Sequence, residues 1–426
     1  MPTTDQLLQF WSPLTGVQYT SSGGGGGGAT VAPAAKLGWM DPQYFVTNTG
    51  TKSVSGASNY FTGQVDSYSL SGAPSNVTIN PSTGVIAVDT TTGFDWKTVT
   101  VQATNAAGSA TTTLDLWVFT PNKTVAANAP WSSVSPSPGD IVVVRGGTYT
   151  SMQNVSAWDG TSTSNRTRVV AYPGETVTFD CSGMSDYAIE TNGAQYVELR
   201  GFKLTDDGGC NFGLWNNQQV GCKIAQFDVS GFKKASFAFG QGTKANSGAW
   251  TIEYCRIYNN VQENNTFSNP ASSRGMALDY CDGSVIRRNR FYQNYGEGFG
   301  FVGSSNCTIQ ENISYDNCSV NIYLDNCAYH EVHGNIVWSN NPSYYTHGRV
   351  ASSIRAANED YNGTPQAHTG GKEQATTGLN VTNNFYLSGN DAPQYLAYGG
   401  SYDDGGAGTS VFTPNSTFTS VVDVWR

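Results

Sequence analysis

The chain has 426 residues, enough for two or three structural parts and a large buried core. Only 13% of them are charged, and 49 glycines and 23 tyrosines, with no sustained 3.6-residue apolar period, point to short strands and turns and away from helices. A formal net charge of −10 argues against a nucleic acid or an anionic membrane as partner, and the lack of any apolar run near ~18 residues argues against membrane insertion.

The N-terminus, MPTTDQLLQFWSPLTG, has neither the basic start nor the apolar core of a secretory signal. Two expectations follow: a trimmed signal, or exit from the cell by another route, such as inside a phage or phage-like particle. The apolar cluster Leu7, Leu8, Phe10, Trp11 and Leu14 precedes the glycine tract Gly23 to Gly28, so residues 1–35 read as an anchor peptide and flexible linker.

Residues 36–120 alternate like strands, with turns at Asn80-Pro81, Thr83-Gly84 and Asn105 to Gly108. The INPSTGVI turn and the VQATNAAG strand and hairpin resemble those of bacterial immunoglobulin-like domains. That resemblance implies a small β-sandwich acting as a spacer or weak binding module.

Composition shifts at Pro121. PGDIVVVRGGTY (138–149), AYPGETVTFD (171–180) and YVELRGFKL (196–204) are short β runs broken by turns. These three segments resemble the entry and successive coils of the right-handed parallel β-helices of the pectate lyase, chondroitinase B and alginate lyase group, over about residues 138–390. The resemblance implies an all-β fold, a right-handed parallel β-helix over residues 121–395 preceded by the immunoglobulin-like sandwich. The Lys and Arg catalytic motifs of the chondroitinase and alginate lyase families are not recognisable in this chain.

The coils repeat every 23 residues in the middle of the solenoid, where Asn289, Asn312 and Asn335 share one register and Asn294, Asn317 and Asn340 another. Gly201, Gln226, Cys255 and Asn383 are placed in the first register, with Leu199, Ile224, Ile252, Ile286, Ile309, Val332 and Val381 facing inward. Stacked amides of this kind bond along the stack and are scaffold before they are chemistry. Residues 261–274 and 341–378 widen the spacing and read as extra loops. The eight cysteines all fall in the repeats, without zinc-like spacing, and are expected as buried thiols, with disulfides as the alternative.

The runs Tyr187 to Asn192, Phe212 to Asn217, Phe237 to Gly242, Met276 to Cys281, Phe299 to Ser304 and Ile322 to Cys327 align as one sheet. Their alternation sends Phe212, Leu214, Phe237, Phe239, Met276, Leu278, Phe299, Phe301, Ile322 and Leu324 inward. One outward column then reads Ala188, Gly213, Ala238, Ala277, Gly300, Tyr323. The next reads Glu190, Trp215, Gly240, Asp279, Val302, Asp325. The first suggests a shallow groove. The second sets Asp279 and Asp325 two coils, ~9.6 Å, apart, near the carboxyl separation of an inverting glycosidase.

Asp279 and Asp325 are therefore the candidate catalytic pair, and the plainer explanation is that both cap turns or bind a cation on an exposed sheet. Trp215, Glu190, Tyr323 and Arg355 are the candidate substrate-binding residues. A lyase would instead need a base near the C5 proton and a group neutralising the uronate carboxylate; the outward columns offer only Tyr323, with Arg355 if residues 353–359 form the next coil, and His347, Arg349 and Lys372 could fold over the groove from the long loop. His330 and His333 make a poor metal pair, and no cofactor is required. Asp206-Asp207 and Asp403-Asp404 could hold calcium with nearby carbonyls, although exposed turn acids explain them more simply.

Together these features resemble a phage or phage-like tailspike or fibre. That resemblance implies a homotrimer on the virion surface, attached through its N-terminus to particle proteins, closed by residues 396–426, and recognising or depolymerising host polysaccharide. A secreted, extracellular polysaccharide lyase or glycoside hydrolase and a non-catalytic structural fibre remain the alternatives.

Overall fold

The computed structural model describes residues 31–54, 56–216, 220–240, 248–268, 273–341, 343, 352–358, 367–368, 371–372, 376–395 and 409–418. The chain divides into two compact units, one ending at Pro121 and one beginning at Asn122.

The first unit is a β-sandwich of two main sheets, with Ala34–Ala35 and Phe61–Thr62 paired as a separate antiparallel ribbon. Gln43–Val46, Gly108–Phe119, Phe94–Asn105 and Ser67–Ser71 form one sheet, and Lys52–Val54, Ile86–Val88 and Val77–Ile79 the other. Val54, Val77, Ile86 and Val88 pack with Val99, Val101, Leu114 and Leu116 in one core. The INPSTGVI segment turns because Asn80 Oδ1 accepts the N–H groups of Ser82 and Thr83 at 2.9 and 3.0 Å, a side-chain mimic of a backbone turn.

The second unit is a parallel β-helix. Among the described residues its three large sheets, I from Lys123–Val125 to Asn380–Thr382, II from Gly147–Tyr149 to Ser416–Phe418 and III from Gln153–Asn154 to Gln394–Tyr395, have ten, ten and nine strands, each paired in parallel with its counterpart one coil on. Leu199, Ile224, Ile252, Ile286, Ile309, Val332 and Val381 line the core from sheet I as their periodicity predicts. The core from sheet III holds Leu214, Phe237, Phe239, Met276, Leu278, Phe299, Phe301, Ile322 and Leu324, whereas Phe212 is only half-buried.

The turn from sheet I to sheet II uses a left-handed residue in seven successive coils: Gly201, Gln226, Tyr254, Arg288, Glu311, Gly334 and Asn383 all have positive φ. The asparagine ladder occupies the next position. Asn289 donates its N–H and Nδ2 to Asn312 Oδ1, both at 3.0 Å, and Asn312 does the same to Asn335. Asn335 continues to Asn384 and Asn384 to Asn415. Gly201, Gln226 and Asn383 therefore belong to the left-handed column, and Asn384 is the ladder member.

A second ladder runs from Asn260 to Asn294 to Asn317, whose Nδ2 then donates to Asn321 Oδ1 at 2.8 Å. Asn340 is not part of it. Its side chain is exposed and its N–H donates to Asp316.

On the outer face of sheet II, Tyr258, Tyr292, Tyr315 and Trp338 stack face to face, with centroid separations of 4.9, 5.1 and 4.3 Å. All eight cysteines are free and buried, and burial pushes Cys210, Cys222, Cys255 and Cys307 up to about 12, which keeps them as unreactive thiols.

The widened stretch 341–378 is not all loop: Ser352–Ala357 is a strand of sheet III, and Ser416–Phe418, from the expected closing segment, is a strand of sheet II. His347, Arg349, Asp403 and Asp404 lie outside the described residues, as does the Lys372 side chain.

Candidate functional site

Four neighbouring strands of sheet III, Arg274–Asp279, Glu297–Val302, Val320–Asp325 and Ser352–Ala357, carry the candidate site. Pleating sends Met276, Phe299, Ile322 and Ile354 into the core and turns Ala277, Gly300, Tyr323 and Arg355 outward in one column. Asp279, Val302, Asp325 and Ala357 form the adjoining column. Asp279 and Asp325 thus lie two rungs apart, as expected, which sets their backbones ~9.6 Å from each other.

The register differs at the other end of the sheet. Trp215 pairs with Ala238, not with Gly240, so Glu190, Trp215, Ala238, Ala277, Gly300, Tyr323, Arg355 and Gln394 form a single column. Gly213 correspondingly stands beside Ser236 and not beside Ala238. Alternation fixes which face a residue takes, but a slip of two residues preserves the face, and FGL and FAF are interchangeable under that slip. The correction brings all four substrate-binding candidates into line, with Trp215 and Tyr323 four rungs, ~19 Å, apart.

Arg274 is the residue the sequence reading missed. Its Nη1 donates to Asp279 Oδ1 at 2.7 Å. A Cβ built on Gly300 would lie 2.7 Å from Arg274 Cδ and 3.1 Å from Glu297 Oε2, so the missing side chain at Gly300 is what lets both groups cross the strip. Burial opposes the Arg274 charge, but Asp279, Glu297 and Asp325 outweigh it and raise the guanidinium pKa. Three carboxylates thus surround one arginine. The 23-residue period could have found Arg274 and Glu297, which open RGMALD and EGFGFV in one register.

The strip is not the open groove that its small residues suggest. Asp325 is 4% exposed, Tyr323 5% and Arg355 6%, and Ala238 and Ala277 are buried beside them. Arg274 folding over Gly300 accounts for part of that cover. Asp279 and Arg274 keep 15% and 17% of their side-chain surface in solvent, and Glu297 beside them is half-buried.

Arg355 pairs with Asp391 across the next coil. At the far end, Trp215 stacks on Tyr187 with centroids 5.8 Å apart and planes 15° from parallel, and Tyr187 donates to Glu190 Oε2 at 3.1 Å. Burial and the neighbouring Glu190 carboxylate raise the Tyr187 pKa. Trp215 and Glu190 are both half-buried.

His330 and His333 do not act together: His330 is fully buried, with Nδ1 accepting the Cys307 N–H at 3.2 Å, while His333 sits on the outer side of its strand. Asp206 Oδ2 accepts the N–H groups of Gly208 and Cys210, which ties that carboxylate into its own turn. Among the described residues no group of three or more His, Cys, Asp or Glu is arranged to hold a metal ion, and no helix is long and apolar enough to cross a membrane.

The family described as the right-handed β-helix region matches residues 243–385, about a third of the chain. No curated protein matches. Among solved structures, the periplasmic alginate epimerase AlgG is similar at a TM-score of 0.40 and 14% identity, covering 71% of each chain. The Yersinia enterocolitica family 28 exopolygalacturonase gives 0.33 and 9%, covering 91% of this chain and 85% of that one. The Dettilon tailspike protein gives 0.27 and 13%, covering 65% and 62%.

Proposed function

We propose that the outer strip of sheet III binds a polysaccharide and that Asp279 and Asp325 cleave it by hydrolysis. The observation that carries this reading is the convergence, on one face of the solenoid, of a carboxylate pair two rungs apart with an aromatic platform in the neighbouring column. Carboxyl groups held roughly 6.5–9.5 Å apart let one protonate the leaving oxygen while the other activates water on the opposite side of the sugar. Arg274 orients Asp279, and Trp215, braced by Tyr187, offers a ring face to a sugar.

A second reading rests on one observation: Tyr323 and Arg355 are direct ladder partners. A lyase needs this combination, a phenolic base beside a cation that neutralises a uronate. Incubation with host capsule separates the two: new reducing ends without ultraviolet absorbance indicate hydrolysis, and unsaturated uronates indicate elimination. Binding without either product would leave the strip an adhesive surface.

In this proposal the sandwich is an immunoglobulin-like spacer, and the protein is a homotrimeric spike on a virion surface, docked through its N-terminal segment on a phage or phage-like particle. The INPSTGVI motif and the β-helix architecture support that role. Antibody labelling of particles tests it, and particles that never carry the protein would favour a secreted enzyme.

A further inference from the structure

A groove of about 700 Å³ opens at the corner between sheets I and II, in the first coils of the solenoid. That volume lies within the roughly 300–1,000 Å³ of small-ligand sites. Thr124, Ala126 and Ala127 line it from the end of Lys123–Val125, and Glu175 and Thr176 from the approach to Val177–Asp180. Arg145 and Gly146, which follow Ile141–Val144, complete the lining.

Arg145 is locked in place. Its Nε donates to both oxygens of Glu175, at 3.0 and 2.9 Å, and its Nη2 donates to Glu175 Oε1. The guanidinium carbon lies 4.4 Å from the centroid of the Tyr172 ring, a cation–π contact. Glu175 is anchored in turn, because its Oε2 accepts the Gly146 N–H at 2.6 Å. A Cβ on Gly146 would lie 3.1 Å from Glu175 Cβ, so glycine lets the carboxylate come this close to the chain. The shared hydrogen bonds raise the Arg145 pKa and lower that of Glu175, and both groups stay charged.

Bonding through Nε and Nη2 uses one edge of the guanidinium. The edge formed by Nη1 and Nη2 carries two further parallel donors, and Nη1 has no hydrogen-bond partner among the described residues. The Arg145 side chain is 45% exposed, and Thr124, Thr176, Ala126 and Ala127 are exposed around it. A fixed fork of donors, a carboxylate with spare lone pairs and two hydroxyls therefore share one groove. The charges of Arg145 and Glu175 cancel, so the lining carries no net charge.

We infer that this groove binds a neutral sugar unit of a glycan, as a second glycan site separate from the strip on sheet III. Each sugar hydroxyl both donates and accepts, which matches the Arg145 fork, the Glu175 oxygens and the two threonines. The two alanines offer small apolar surfaces to the C–H face of the ring. A uronate is disfavoured, because its carboxylate would meet Glu175 with no cation left over. The pair is already held rigid, so little ordering is lost on binding.

The test is titration of the full chain with maltose, cellobiose, lactose and digalacturonate, followed by saturation-transfer NMR, which detects weak binding. Trp215→Ala removes the ring platform on sheet III and serves as the background, to which Ala127→Trp or Arg145→Gln is added. We expect at least one neutral disaccharide to bind both wild type and Trp215→Ala. Binding should weaken at least tenfold when Ala127→Trp fills the groove or Arg145→Gln removes the fork. Ala127 is exposed, so Ala127→Trp keeps the test valid if Arg145→Gln folds poorly. Equal affinity with and without Ala127→Trp would overturn the inference, as would the absence of neutral-sugar binding. Loss of binding in Trp215→Ala alone would overturn it too, because the sugar would then be held on sheet III, and so would tighter binding of digalacturonate than of every neutral sugar. None of these outcomes bears on cleavage by Asp279 and Asp325, which is read from products.

Discussion

Arg274 and Asp279, at opposite ends of one six-residue strand, are joined by a 2.7 Å hydrogen bond that runs across the bare backbone of Gly300 on the next strand. The pair sets the charge and the shape of the candidate site at once. Both side chains retain some solvent contact, so their coupling is smaller than that of a fully buried pair. A double-mutant cycle of Arg274→Met and Asp279→Asn, followed by urea denaturation, should give a coupling energy of about 2 kcal/mol. Strict additivity would mean that the bond contributes nothing.

Gly300 has a separate consequence. Alanine there places a methyl group against Arg274 Cδ and displaces the guanidinium. We expect Gly300→Ala to cost about 1–3 kcal/mol of stability, the usual range for overpacking. Glycan turnover should fall more than that stability loss explains, because Asp279 loses its orienting partner. Unaltered turnover would show that Arg274 does not position Asp279.

The asparagine ladder predicts a contrast between two residues that look equivalent in the repeat. Asn312→Ala strips the Asn289 N–H and Nδ2 of their shared acceptor in a fully buried turn, at a cost of about 3 kcal/mol. Asn340→Ala, at an exposed side chain, should stay within about 0.5 kcal/mol of wild type. Denaturation midpoints of the two variants decide the matter, and similar values would contradict the ladder.

Burial holds the His330 imidazole at about 3, well below the ~6.5 of an exposed histidine. Between those values the unfolded chain binds a proton that the folded chain refuses. The stability contributed by neutral His330 is therefore complete above about pH 6.5 and is lost as the pH falls toward 3, at up to ~1.4 kcal/mol per pH unit. His330→Asn keeps an acceptor for the Cys307 N–H and removes the titration. Its denaturation midpoint should depend less on pH than that of wild type across this window, and parallel profiles would refute the assignment.

Much of the solenoid was legible because a 23-residue period and a two-residue alternation together place each side chain on a coil and a face. The same rules left two ambiguities. Asn383 and Asn384 are adjacent, and only the positive φ of Asn383 shows which of them turns the chain and which joins the ladder. Trp215 could slide by two residues without changing face, so its column was settled by pairing with Ala238, a contact with no local signature. Of the site, Asp279 and Asp325 could be found by register alone. The period also places Arg274 in register with Glu297, but not its contact with Asp279, which depends on the absence of a side chain on a different strand, and the cover over Tyr323 and Asp325 depends on side-chain packing that no period encodes.

The most direct test of the strip as a catalytic surface is the rate of host-capsule depolymerisation by Asp279→Asn/Asp325→Asn, compared with wild type at equal folded concentration. We predict a fall of roughly 10²-fold or more, the scale of losing positioned acid and base groups, with glycan binding retained through Trp215. Depolymerisation at the wild-type rate in the double variant would contradict the assignment.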